Sequence, residues 1–233
     1  MKNVIITPTY NEKENIKVLI PLIFDLIPDI YVVVADDNSP DGTAGVVLEL
    51  QKKYSNLSLI SQTEKKGLGK AYTNAFSKVL EDKNVDVVIM MDADLSLQPK
   101  YLPEMIRKSG TYKVVTGSRY VKGSRIVGWK LWRRILSLFG NFYCRVLLPI
   151  PICDYTCGFN VIRADILRKI DFSKMDMSGY AFIIELKYML YNAGATFFEV
   201  PIVFVERTGG QSKIANHIIS EGVFAPWKML FRK

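Results

Sequence analysis

Histidine occurs once in this 233-residue chain, at His217. That scarcity excludes His-rich metal sites and argues against Ser-His or Cys-His nucleophilic catalysis, which needs an imidazole base. Cysteine is nearly as rare. Cys144, Cys153 and Cys157 are odd in number and form no CxxC pair, which argues against a disulfide framework and against a zinc site. They read as reduced, intracellular thiols. No uninterrupted apolar run reaches the roughly 18–20 residues of a membrane-spanning helix. The chain opens at once on a strand-like segment, so no secretory leader is expected. Internal repeats and low-complexity linkers are lacking. "GLGK" (Gly67–Lys70) does not have the GxxxxGK[ST] spacing of a P-loop.

What is present is apolar and basic. Hydrophobic residues make up 49% of the chain and the net charge is +8, with a mean hydropathy of +0.11. Such length and composition suit one domain with a sizeable core. The charge calls for an anionic partner. Apolar and basic character together favour a membrane surface over nucleic acid, because RNA-binding sheets expose aromatic and basic residues and these strands are apolar throughout.

Strand-like runs (Asn3–Thr7, Ile30–Ala35, Leu57–Ser61, Val85–Met91, Tyr112–Ser118) alternate with helix-like ones, among them Gly67–Leu80 and a helix begun by Pro99. Asn11 is placed to cap the first helix, with Glu14 as capping-box partner. The alternation predicts a layered α/β fold with a mostly parallel central sheet and helices on both faces. Three polar segments, "TPTYNE", "DDNSPDG" and "DADLS", each follow a strand and precede a helix. In a parallel sheet they share the carboxyl edge, where ligands of open α/β sheets bind. Asp92 and Asp94 end an apolar strand one residue apart. Asp also favours turns and caps, but alternate strand residues face one side, so the pair could share a cation.

Beyond Gly117, Ser118–Cys153 mixes Arg133, Arg134 and Arg145 with Trp129, Trp132, Phe139 and Phe142. An interfacial amphipathic helix and a core helix with a solvated basic face both fit this mixture. Ser212–Lys233 repeats it. Gly179–Gly194 reads as a core helix, with Glu185 a partner for some basic residue.

"TPTYNEKENI", "ADDNSPDGT", "KKGLGKAYTNAF", "MDADLS", "GSRYVKG", "DYTCGFNVIR" and "EVPIVFVERTGGQSKI" occur in this order. They resemble family 2 glycosyltransferases of the dolichol-phosphate mannose synthase type, the polyprenyl-phosphate mannosyltransferases. The resemblance implies a GT-A, Rossmann-like catalytic domain with amphipathic interfacial helices. Residues 1–118 would be its nucleotide-sugar half, 119–213 its acceptor half and 214–233 a C-terminal amphipathic segment. It implies inverting transfer of a sugar, with mannose from GDP-mannose the leading reading, to a dolichyl or polyprenyl phosphate. A glucosyl- or N-acetylhexosaminyltransferase is the alternative, and a non-enzymatic basic module binding membrane or RNA the remote one.

By motif match, Pro8, Tyr10, Glu12, Asp36, Asp37 and Asn38 would line the nucleotide site. Asp92, Asp94 and Ser96 would hold Mg²⁺ or Mn²⁺. Arg119 and Arg133 would act with the two aspartates in catalysis. Arg133, Ser137, Arg207 and Lys213 would receive the acceptor phosphate. Ser96 replaces a Gln found in some relatives, which leaves Gln98 as a displaced substitute ligand; Gly209 replaces a basic residue and Cys157 a Ser. The implied location is peripheral, on the cytoplasmic face of a membrane, with room for a membrane-anchoring partner protein and no role for nucleic acid.

Overall fold

The computed structural model describes residues 1–175, 177, 179–206 and 216–231, with side chains at 180 and 216–223 set aside. The first half runs β1 (Lys2–Thr9), α1 (Lys13–Leu26), β2 (Tyr31–Asp36), α2 (Thr43–Gln51), β3 (Leu57–Ser61), α3 (Leu68–Glu81) and β4 (Val85–Met90). A 3₁₀ turn at Pro99–Tyr101 leads into α4 (Leu102–Lys108), β5 (Val114–Ser118), β6 (Arg125–Val127) and α5 (Leu131–Leu147). Then come β7 (Asn160–Arg163), α6 (Ala164–Leu167), α7 (Gly179–Asn192), β8 (Phe197–Pro201), β9 (Val203–Val205) and α8 (Asn216–Phe231).

The main sheet has seven strands in the order β3-β2-β1-β4-β7-β5-β8. Only β7 runs against its neighbours. Strand alternation decides which side chains go where. Val4 and Ile6 of β1 face one way, onto Tyr72, Ala75 and Phe76 of α3 and Phe182 and Leu186 of α7. Ile5 faces the other way, onto Ile16, Leu19, Ile20 and Ile23 of α1 and Leu102 and Met105 of α4. Burying one such side chain is worth about 1.5–3 kcal/mol, so both faces of the sheet are strongly held. The chain fills β1-β2-β3 outward in one direction and then crosses back to place β4 on the other side of β1. That reversal opens a crevice at the carboxyl ends of β1 and β4.

Two local expectations change. Asn11 does not cap α1: it takes φ +60, the cap position falls to Glu12 with no side-chain cap bond, and Asn11 instead donates its backbone N–H to Ser39 Oγ at 3.0 Å. A residue in the left-handed region turns the chain before the helix starts, so its side chain is misplaced for capping. Helix α5 is not a core helix with a solvated basic face. Leu131, Trp132, Ile135, Leu138, Phe139, Phe142 and Val146 are exposed, while Asn141 and Cys144 are buried. The apolar stripe points outward. Helix α8 leans on α5, with Trp227 Nε1 donating to Tyr143 Oη at 2.7 Å, and it exposes Phe224, Trp227 and Phe231. Among the described residues, no helix is long and apolar enough to cross a membrane.

Candidate active site

Past the end of β4, alternation continues for four residues. Met91 and Ala93 are buried in the core, while Asp92 and Asp94 are half-buried and line one cleft. The cleft also takes in Ser96, Arg119, Trp129, Arg133, Thr156, Gly158 and Glu206. Leu95 takes φ +60, a conformation that costs a non-glycine residue about 1–2 kcal/mol. It folds the chain so that the Ser96 backbone N–H and hydroxyl both donate to Asp94 Oδ1, at 3.1 and 2.6 Å. Ser96, expected as a metal ligand, thus also orients Asp94. Gln98 is no substitute ligand, because it lines a separate shallow groove with Leu22, Leu26 and Leu95.

Gly158 closes the floor. A Cβ there would lie 3.2 Å from Asp92 Oδ2, so a larger residue would crowd that carboxylate. The donor set suits a hard divalent cation. Asp92 and Asp94 are joined in the lining by Glu206, which Arg133 engages, and by Cys157, which burial keeps a thiol, with no histidine; among the described residues no group of three acid, His or Cys side chains is placed to hold a metal. Mg²⁺ in phosphate sites takes one or two carboxylates and completes its shell with water and phosphate oxygens.

Arg119, expected to act in catalysis, is already engaged within the chain. Its Nε and Nη2 fork onto Asp154 at 2.8 and 2.7 Å, and Nη2 also reaches Thr156 Oγ1. Both partners are buried. Burial would raise the Asp154 carboxyl, but the Arg119 guanidinium holds it below the usual carboxylate range. Burial likewise opposes the Arg119 charge, and Asp154 outweighs it, pushing that group further up. Removing one partner of such a pair typically costs about 3–5 kcal/mol, so Arg119 shapes the wall first. The 153–158 loop is pinned from several elements. Glu199 accepts the N–H groups of Cys153 and Asp154. Lys187 Nζ donates to the Asp154 and Cys157 carbonyls at 2.8 and 3.3 Å. Burial pulls the Lys187 ammonium below its usual range, partly offset by Asp154.

Arg133 faces the cleft from α5. Its guanidinium lies 4.3 Å from the centre of the Trp129 ring, and Nη1 donates to Glu206 Oε1 at 2.8 Å. Trp129, expected among the lipid-facing aromatics, turns inward and meets Phe204 edge-on at 5.2 Å. Ser137 does not line the cleft, and it pairs with Tyr120 Oη at 2.6 Å. Arg207 and Lys213 lie outside the described residues.

The expected nucleotide residues gather at the carboxyl ends of β1 and β2, where Pro8 pairs with Ala35 and Thr9 with Asp36. Lys65 Nζ sits 3.6 Å above the Tyr10 ring. Asn15 donates to Glu12 at 2.6 Å, and Asn38 adopts φ +59. Asp36 and Asp37 sit at the same edge and already have partners within the chain. Asp36 accepts from the Thr9 and Ser39 hydroxyls and the Ser39 N–H, and Asp37 from the N–H groups of Lys66 and Gly67. Both are buried, so they brace the loops around this edge, with their oxygens already engaged.

Sequence reasoning missed Asp154, Trp129 and Glu206 as site residues. The only signal was that Asp154 and Glu206 fall inside the quoted motifs "DYTCGF" and "FVER".

Residues 4–171 match the sequence profile of Glycosyl transferase family 2. An undecaprenyl-phosphate mannosyltransferase of Micrococcus luteus is 37% identical over 223 residues, covering 96% of this chain and 91% of that one. A polyprenol monophosphomannose synthase of Mycolicibacterium smegmatis is 36% identical over 230 residues, covering 97% and 86%. Among solved structures, glucosyl-3-phosphoglycerate synthase of Mycobacterium tuberculosis with Mn²⁺, UDP and phosphoglyceric acid superposes with a TM-score of 0.70 at 16% identity, covering 97% of this chain and 77% of that one. A mannosyltransferase of Pyrobaculum calidifontis in complex with GDP-Man and Mn²⁺ gives 0.57 at 17% identity, covering 98% and 72%. These two likenesses concern the fold.

Proposed function

The chain belongs to glycosyltransferase family 2 and has the GT-A fold, and from that premise we propose that it transfers mannose from GDP-mannose to a polyprenyl monophosphate at a membrane surface, with inversion. The observation that carries the reading is one cleft, at the sheet's switch point, with the Asp92–Asp94 pair on one wall and Arg133 on the other. Asp92 and Asp94 would hold a Mg²⁺ or Mn²⁺ ion, which would supply positive charge beside the leaving diphosphate. Ser96 fixes Asp94, and Gly158 leaves room at Asp92. Arg133 would receive the acceptor phosphate.

No general base is needed. A phosphate monoester has a second pKa of about 6 and is mostly a dianion near neutral pH, so the acceptor is its own nucleophile. The chain's contribution is then position and charge. The relatives named for undecaprenyl-phosphate and polyprenol transfer support the lipid acceptor. The outward apolar stripe of α5 supports peripheral attachment to the cytoplasmic face, with Arg134 and Arg145 also exposed. The test is transfer of radiolabelled sugar from a panel of nucleotide sugars to a short polyprenyl phosphate, followed by extraction of labelled lipid. Transfer from GDP-mannose is expected. Transfer from UDP-glucose or UDP-N-acetylhexosamine alone would replace mannose with those sugars, and no labelled lipid from any donor would overturn the acceptor.

A further inference from the structure

Tyr72 of α3 is fully buried, and its hydroxyl has no hydrogen-bond partner among the described residues. Buried polar groups are nearly always paired, and an unmet one costs stability. A phenylalanine would fill the same space without that cost. The ring is also fixed in place. It stacks on Phe76 with centroids 5.6 Å apart and on Phe182 at 5.7 Å, 9° from parallel. Gly69 admits Phe182 to this stack, since a Cβ there would lie 3.2 Å from Phe182 Cδ2.

The place of the hydroxyl explains why it is there. Val88 and Met90 of β4 face α3 and α7, while Val87, Ile89 and Met91 face α1 and α4. Alternation carried past the strand end puts Asp92 on the Tyr72 side. The Tyr72 oxygen lies beside the Met91 backbone N–H, which is already given to Ile6 O at 3.2 Å. Asp92 is the next residue. Burial first, then the Asp92 charge, ahead of that of Asp94, hold the Tyr72 phenol well above its ordinary range, so it keeps its proton and stays a donor. Gly158 lies against both Asp92 oxygens, 3.2 and 3.4 Å from where its Cβ would be, and brings no side-chain donor of its own.

We propose that Tyr72 is a positioning residue for the cation site, its hydroxyl donating to Asp92 once a divalent cation engages that carboxylate. This rests on the reading of Asp92 and Asp94 as the site of Mg²⁺ or Mn²⁺. Two neighbouring carboxylates repel each other until a cation comes between them, and each must then be held in one orientation. Ser96 does this for Asp94. Tyr72 does it for Asp92, from the core side of the cleft. Donors behind a metal-bound side chain fix its orientation, and losing one typically costs about 10–100-fold in metal affinity.

Mn²⁺ titration of the full chain tests this, read by loss of the free-ion EPR signal, without nucleotide and again with GDP against a GDP-only baseline. Urea unfolding in EDTA runs beside it. Tyr72→Phe removes one oxygen and keeps the ring. It should weaken Mn²⁺ binding at least tenfold and leave the unfolding midpoint in EDTA unchanged or raised, a pairing that a purely structural hydroxyl would not give. Equal or tighter Mn²⁺ binding in Tyr72→Phe overturns the inference and leaves the cation site standing. A lowered midpoint in EDTA would mean that the hydroxyl is satisfied within the fold, and overturns it as well. If wild type binds no Mn²⁺ in either titration, the cation site of the proposed function falls and takes this inference with it.

Discussion

Helices α3 and α5 are both amphipathic, and they are turned opposite ways. Helix α3 buries Tyr72, Ala75, Phe76 and Leu80 against the sheet and gives Lys70, Ser77, Lys78 and Glu81 to solvent. Helix α5 buries Asn141 and Cys144, turns Arg133 towards the cleft, and gives seven large apolar side chains to the outside. In α3 the apolar face is what attaches the helix to the protein. In α5 polar contacts carry much of the attachment beside the packing of Cys144 and Leu147: Asn141 Oδ1 accepts the Tyr155 N–H at 2.6 Å, Ser137 takes Tyr120, and Arg133 takes Glu206. The difference teaches that a helical apolar period marks a face and leaves open what covers it. An exposed stripe of this size is uncommon on a soluble monomer and marks an interaction surface.

The largest expected effect lies in the cleft between these regions. Asp92→Asn and Asp94→Asn should each nearly abolish transfer with the melting temperature little changed, because several kcal/mol of transition-state charge stabilisation would be lost. Near-normal turnover in Asp94→Asn, or activity that persists in EDTA, would sink the metal assignment.

Next comes a direct contrast of the two helices. Phe76 is fully buried and stacks on Tyr72 at 5.6 Å. Phe76→Ala should cost about 3–5 kcal/mol in urea unfolding. Phe139, 64% exposed, should change stability by no more than about 0.5 kcal/mol when replaced by Ala. Comparable losses at both positions would mean that the α5 stripe is covered in the protein as it exists in solution.

Arg133→Ala should lower kcat/KM for the lipid phosphate at least tenfold with nucleotide affinity little changed, and Arg133→Lys should recover only part, since a point charge cannot replace a fork. Arg134→Ala, on the exposed side, should be mild in the same assay. A damaging Arg134→Ala beside a silent Arg133→Ala would reverse the facing assigned to the helix.

Much of this was legible in advance, for reasons that particular residues make clear. The β–α alternation and the paired aspartates are local signals: apolar runs ending in Asp at spacing two fix both the strand and the side that faces the cleft. The partner of Arg119 is not local. Asp154 is 35 residues away, and nothing in "GSRY" says that its arginine is already engaged. Trp129 sits in the sequence beside the aromatics that α5 exposes, and the placement of Phe204, brought in by β9, turns it inward. The motif places Asp36 and Asp37 at the nucleotide site and is silent on their side-chain bonds to Thr9, Ser39, Lys66 and Gly67, because three of those four partners lie on other segments. Arg207 and Lys213 fall outside the described residues.

The smallest expected effect concerns what covers α5. If its stripe meets an anionic bilayer, the apolar side chains enter the headgroup boundary and exposed arginines stay among the phosphates. Arg134 and Arg145 are both exposed on this helix. A basic residue near an anionic surface is worth about 1 kcal/mol, or about fivefold in partitioning. Arg134→Ala should therefore weaken co-sedimentation with phosphatidylserine vesicles by about fivefold and leave the weaker binding to neutral vesicles unchanged. Raising the salt should shrink the difference between the two proteins, because the charge term is screened within a Debye length, while the apolar term persists. Trp132→Ala should weaken binding to both kinds of vesicle at every salt concentration, since its contribution is burial. Equal partitioning of wild type onto neutral and anionic vesicles at all salt concentrations would remove the bilayer as the cover for this face.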